Sequence, residues 1–68
     1  MRNETYEFAS SAIKSAVYDH DTGKLEILMT NGRTYPYFGV EPQTWVDFKA
    51  SESAGRFYDK RIKGRYLD

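Results

Sequence analysis

Between Lys24 and Phe38 the chain reads Lys-Leu-Glu-Ile-Leu-Met-Thr-Asn-Gly-Arg-Thr-Tyr-Pro-Tyr-Phe, and no other stretch limits the fold as much. Leu25, Ile27 and Met29 alternate with Lys24, Glu26, Leu28 and Thr30, the period of a strand with one face buried. Tyr35 and Tyr37 resume that period beyond Asn31-Gly32. This dipeptide favours tight hairpin turns, because both residues accept positive φ. The run is therefore an antiparallel hairpin. Upstream, Ile13, Val17 and Tyr18 favour a strand over Ser11 to Asp19. Asp19-His20-Asp21-Thr22-Gly23 is a turn by composition, since Asx side chains bond locally and glycine supplies positive φ. A three-stranded antiparallel meander follows.

Two registers are open to the hairpin. A two-residue loop at Asn31-Gly32 sets Leu28 opposite Tyr35 and Glu26 opposite Tyr37, with both tyrosines on the face away from Leu25, Ile27 and Met29. A three-residue Thr30-Asn31-Gly32 loop with a glycine bulge pairs Met29 with Arg33, Ile27 with Tyr35 and Leu25 with Tyr37. One slip moves every side chain to the other face. The bulged register is expected, because it gathers the apolar residues where a helix can cover them. Pro36 has no amide donor and points to an edge strand or a non-bonded ladder position.

Gly39 ends the sheet. Pro42 suits the first helical position after Glu41, and Val40 and Trp45 have the spacing of a hydrophobic staple. Trp45 and Phe48 give this helix its apolar stripe. Ala50-Ser51-Glu52-Ser53 reads as a break, and Ser53 as the N-cap of a second helix. That helix would bury Tyr58 and Ile62, with Phe57 beside them, and Gly64 would stop it at C′. Tyr66 and Leu67 are expected to tuck back onto the core. In residues 1–9, Tyr6 and Phe8 are two apart and would share one face of an extended segment; a loosely ordered arm docking on the domain edge is expected. The fold class expected is α+β, a three-stranded antiparallel β-meander followed by two short C-terminal helices packed on one face, with residues 10–68 as a single domain.

Size narrows the function. The chain has 68 residues, no cysteine and eleven aromatic residues. A domain near this size buries only about 60% of the surface its unfolded chain exposes, and its core supplies about 3–5 kcal/mol of net stability. A substrate pocket of some hundreds of cubic ångströms would take much of that core, so an enzyme is disfavoured, and no small-molecule substrate is expected. Zero net charge with plentiful aromatics indicates a packed globule rather than a disordered segment. No stretch has the roughly 20 apolar residues of a membrane span. Absence of cysteine and of an apolar N-terminal run makes a cytoplasmic address the simplest expectation.

The ordered set of residues resembles the KTSC domain, a small family named for the C-terminus of some lysyl-tRNA synthetases and found also as stand-alone bacterial proteins. The features are Ser11 and Ile13, Tyr18-Asp19, Leu25-x-Ile27-x-Met29, Asn31-Gly32 and Tyr35-Pro36-Tyr37. Then come Trp45 with Phe48, Ser53-Ala54-Gly55, Phe57, Ile62 and Tyr66. The likeness covers roughly residues 10–66. Met29 stands where an aromatic is commoner, and Gly39-Val40-Glu41-Pro42 spreads out a usually tighter Val-Pro. The resemblance implies this fold and, from the synthetase context, a role with RNA. It carries over no catalytic residue and implies no cofactor.

The residues themselves show little catalytic chemistry. His20 lies between Asp19 and Asp21, but neighbours in a turn splay outward, whereas metal sites need three or four converging ligands; a solvated turn is the expectation, and no metal. Ser51 and Ser53 have no base that the sequence places beside them. Charge distribution says more. Lys49, Arg56, Lys60, Arg61, Lys63 and Arg65 face only Glu52 and Asp59 within residues 49–66, while residues 1–48 are acidic on balance. On the second helix Arg56, Lys60 and Lys63 fall at i, i+4 and i+7, a basic stripe with Arg61 beside it. Ser53 and Gly55 would present amide groups at its head, and Arg56 would add a bidentate phosphate contact. RNA, either tRNA or single-stranded, is one expected partner, bound through Ser53, Gly55, Arg56, Lys60, Arg61 and Lys63. A cap and a solvated helix surface explain the same residues without a ligand, and neutral total charge argues against strong non-specific binding. Tyr35 and Tyr37 would form a stacking platform only if their face were open; in the bulged register they are core. The competing partner is a larger protein, since small cysteine-free domains often gain stability from one.

Overall fold

The computed structural model describes residues 2–66, and the hairpin decides its plan. Leu25 pairs with Tyr37, Ile27 with Tyr35 and Leu28 with Thr34. The Met29 amide donates to the Arg33 carbonyl, and the Gly32 amide to that of Met29. This is the bulged register, with Gly32 at φ +89° taking the left-handed conformation the bulge demands. The strands of the meander are β2 (Ile13–Asp19), β3 (Leu25–Met29) and β4 (Thr34–Tyr37).

The sheet has four strands where the sequence suggested three. Residues 1–9, read as a loose arm, supply β1 (Asn3–Glu7). It pairs antiparallel with β2, so the order is β1-β2-β3-β4. Only Tyr6 and Phe8 carry apolar periodicity there, too little to mark a strand. The ladder to β2 covers an otherwise bare backbone edge, and Glu4 anchors it from the inner face. Tyr6 packs edge-on to Phe8, and Phe8 lies 4.6 Å from the Phe48 ring. β4 is the other edge, which accommodates Pro36 opposite Glu26.

A second irregularity sets the phase of β2. Ile13 pairs with Met29, yet Ser15 pairs with Leu28, leaving Lys14 bulged. The extra residue lets Ile13, Ala16 and Tyr18 all point inward, which strict alternation forbids. The other face of the sheet is open and shows Thr5, Val17, Glu26, Leu28 and Pro36, with exposed Phe38 at its corner.

Helix α1 (Pro42–Ala50) begins at Pro42 after Glu41, whose side chain makes no cap bond. Val40, Trp45 and Phe48 are buried together with the inner face of the sheet. The Trp45 ring stacks on Tyr18 at 5.4 Å. Tyr18 donates from its hydroxyl to the Val40 carbonyl at 2.6 Å, and burial raises its pKa. Ser51 closes α1 by donating to the Phe48 carbonyl. Ser53 then caps α2 (Ala54–Phe57), accepting from the Arg56 amide.

Beyond Phe57 the helix widens into a π-turn, Tyr58–Ile62, closed by the Lys63 amide donating to the Tyr58 carbonyl five residues back. Gly64, expected as a left-handed C′ residue, is not one; positive φ occurs, among the described residues, at Gly23, Gly32 and Gly39. The amides of Arg65 and Tyr66 both return to the Ile62 carbonyl, so the chain winds out through a further turn without a left-handed stop. That turn carries Tyr66 back against the core. The expectation for Leu67 lies outside the described residues. No helix among those described is long and apolar enough to cross a membrane.

Candidate functional site

A groove of about 640 Å³ runs between the inner face of the β3–β4 hairpin and the α2–π-turn helix. Met29, Tyr35 and Tyr37 form its sheet wall; Gly55, Arg56, Tyr58, Asp59 and Lys63 form its helical wall. Ala12 and Gly55 are small residues that allow the two walls to converge at one end, since a Cβ on Gly55 would sit 3.6 Å from that of Ala12. Ser53 and Tyr66 complete the lining.

The floor is polar at one point. The Tyr37 and Tyr58 hydroxyls share a hydrogen bond of 2.5 Å, with the rings edge to face. Both side chains are buried, and the shared bond satisfies phenols that the apolar interior would otherwise penalise. Tyr35 and Met29 are half-buried, and Arg56, Asp59 and Lys63 are exposed at the rim. Among the described residues, Arg56, Asp59 and Lys63 enter no ion pair. The groove thus joins an aromatic and thioether wall to two cations and one carboxylate that the fold leaves uncommitted.

The basic stripe is divided by the π-turn. In a regular helix Arg56, Lys60 and Lys63 would align. The extra residue per turn carries Lys63 over Tyr58, on the groove side. Lys60 and Arg61 fall on the far side, where with Arg56 and Phe57 they line a shallower hollow. Arg61 there lies over the Phe57 ring at 5.2 Å. Of the residues singled out from sequence, Ser53, Gly55, Arg56, Lys63, Tyr35 and Tyr37 come together; Lys60 and Arg61 do not join them. An open-face tyrosine platform is corrected by the register, which turns both rings toward the helices.

Sequence reading passed over Asp59, Met29, Tyr66 and Ala12 as part of this site. Two signals pointed to it. Tyr58 put a polar tip on a helical face expected to be core, opposite a tyrosine strand. Ala12 and Gly55 were small residues on segments that had to meet.

The aspartates and histidine of the β2–β3 turn serve structure. Asp19 accepts from the Asp21 and Thr22 amides, which hold its carboxyl below the usual range. Asp21 pairs with Arg2. His20, expected in a solvated turn, is half-buried and reaches inward. Its Nε2 donates to Glu4 Oε1 at 2.9 Å. Trp45 Nε1 donates to the same oxygen at 3.1 Å, and Lys49 Nζ to Glu4 Oε2. The Lys49, Trp45 and His20 hydrogen bonds, in that order, lower the Glu4 pKa to about 2. No cluster of metal-ligating side chains occurs among the described residues.

Comparison with known proteins places these features in a family. The KTSC domain model matches residues 9–66. A crystal structure of a KTSC domain protein from Yersinia pestis superposes with a TM-score of 0.90 at 38% identity, covering 97% of this chain and 93% of that one. A protein of Tsukamurella paurometabola is 42% identical over 57 residues, 84% of this chain and 85% of that protein. A lysine–tRNA ligase of Nostoc punctiforme is 36% identical over 56 residues, 82% of this chain but only 10% of the ligase.

Proposed function

The chain belongs to the KTSC domain family, and from that premise we propose that it is a non-enzymatic module binding single-stranded RNA along its α2–π-turn surface. One observation carries the reading: the uncommitted cations Arg56 and Lys63 stand at the rim of a groove walled by Tyr35 and Met29. Single-stranded nucleic acid is held by this pairing of positive charge for the backbone with rings for the bases. The matching segment of a lysine–tRNA ligase supports it, since such a module rides there on an enzyme that handles RNA.

The test is titration of fluorescent single-stranded RNA and of tRNA into the protein at low salt. Arg56→Glu with Lys63→Glu is expected to weaken binding roughly tenfold or more. Lys24→Glu, which reverses a charge already paired with Glu26, leaves it nearly unchanged. Absence of binding at low salt, or equal loss in all variants, removes the reading. A protein partner is the second reading, favoured by the exposed Phe38 and Val46; stoichiometric association with one protein that survives nuclease would support it.

A further inference from the structure

The groove has more internal order than backbone binding requires. Sheet and helix supply different chemistry at different depths. Tyr35 and Met29 are half-buried and line the groove with an aromatic ring and a polarisable thioether. Arg56 and Lys63 stand exposed above them, with Asp59 on the same wall. A strip of cations would suffice for phosphate alone; Lys60 and Arg61 across the helix supply one, but the groove adds a cleft. Its volume of about 640 Å³ falls in the range of small-molecule sites in general, about 300–1,000 Å³.

We infer, resting on the RNA-binding reading, that the groove is a single-nucleotide subsite that takes one unstacked base bearing an amino group. The base lies against Tyr35 and Met29. Its neighbouring phosphodiester, a monoanion, rests between Arg56 and Lys63, which enter no ion pair among the described residues. Asp59 faces the base edge. An ionised carboxylate only accepts hydrogen bonds, so it favours the exocyclic amino group of cytosine, adenine or guanine and disfavours uracil, whose edge offers carbonyl oxygens flanking a single N–H. Stacking alone is tolerant of sequence, because every base has a π-face; the carboxylate is what gives this groove a preference.

The experiment uses the full chain and three strands of equal length: oligocytidine, oligouridine and an abasic ribose-phosphate strand. Oligocytidine is expected to bind about tenfold or more tighter than the abasic strand, and several-fold tighter than oligouridine. Tyr35→Ala removes the advantage over the abasic strand while Tyr35→Phe keeps it. Asp59→Ala removes the advantage over oligouridine without removing binding. Equal affinity for the cytidine and abasic strands overturns the subsite and leaves phosphate-driven RNA binding standing. Equal affinity for cytidine and uridine overturns the amino-group preference. Failure of every strand to bind at low salt overturns the RNA reading and this inference with it. The wild-type comparisons decide these outcomes even where a tyrosine variant folds poorly.

Discussion

At the scale of single residues, Glu4 bears the most. It joins β1 to α1 through Lys49 and Trp45, and to the β2–β3 turn through His20. Lys49 also lies over the Trp45 ring at 5.2 Å. The folded chain holds the Glu4 carboxyl at about 2, against an ordinary 4.5. A depressed folded pKa gives stability that is present above the unfolded value and is lost as pH falls through the folded one. Wild-type protein should therefore lose stability between about pH 4.5 and pH 2. Glu4→Gln should show a lower urea midpoint at neutral pH and a flatter decline across that acid window. An equally steep decline in the variant would assign the acid sensitivity to other carboxylates. Nothing in the sequence marks Glu4 for this task, because its partners are 16, 41 and 45 positions away.

At the scale of elements, the two irregular turns of the meander differ in what they forbid. Gly23 and Gly32 both have positive φ, which costs other residues about 1–2 kcal/mol. A Cβ on Gly32 would meet open space, whereas one on Gly23 would stand 3.1 Å from the Val40 carbonyl oxygen. That oxygen cannot readily retreat, since it accepts from Tyr18 and the Val40 amide donates back to Gly23. Gly23→Ala should thus lower the melting temperature more than Gly32→Ala, with the latter near 5–10 °C, roughly; the reverse order would show that the carbonyl moves freely. The hairpin, its bulged register, the edge position of Pro36 and both helix starts were legible because each rests on local chemistry or on the burial of one face. β1 was not, because its pairing depends on an edge and a charge network formed elsewhere. The π-turn was not, because an α-helix over the same residues also buries Tyr58 and Ile62, four apart, on one face. Half of the candidate site was therefore readable as residue types, and its division between groove and far side was not.

At the scale of the whole molecule, zero net charge conceals a separation. Residues 49–66 are basic on balance and residues 1–48 acidic, so the proposed RNA binding would rely on a few contacts rather than on a broad field. If Arg56 and Lys63 each meet a phosphate, the logarithm of RNA affinity should fall with the logarithm of salt at a slope of about −1.4. A slope beyond about −4 would require cations outside this surface. Two of the places where the backbone departs from regular geometry by one residue, Lys14 in β2 and the turn at Tyr58–Ile62, lie close in sequence to Ala12 and Gly55, which approach each other. The groove is consequently addressed by chain length as much as by side-chain choice. Losing or gaining one residue in either segment keeps nearly every side chain and points them elsewhere. Among relatives, a gap at either place would signal a groove of different shape more surely than a single substitution within it.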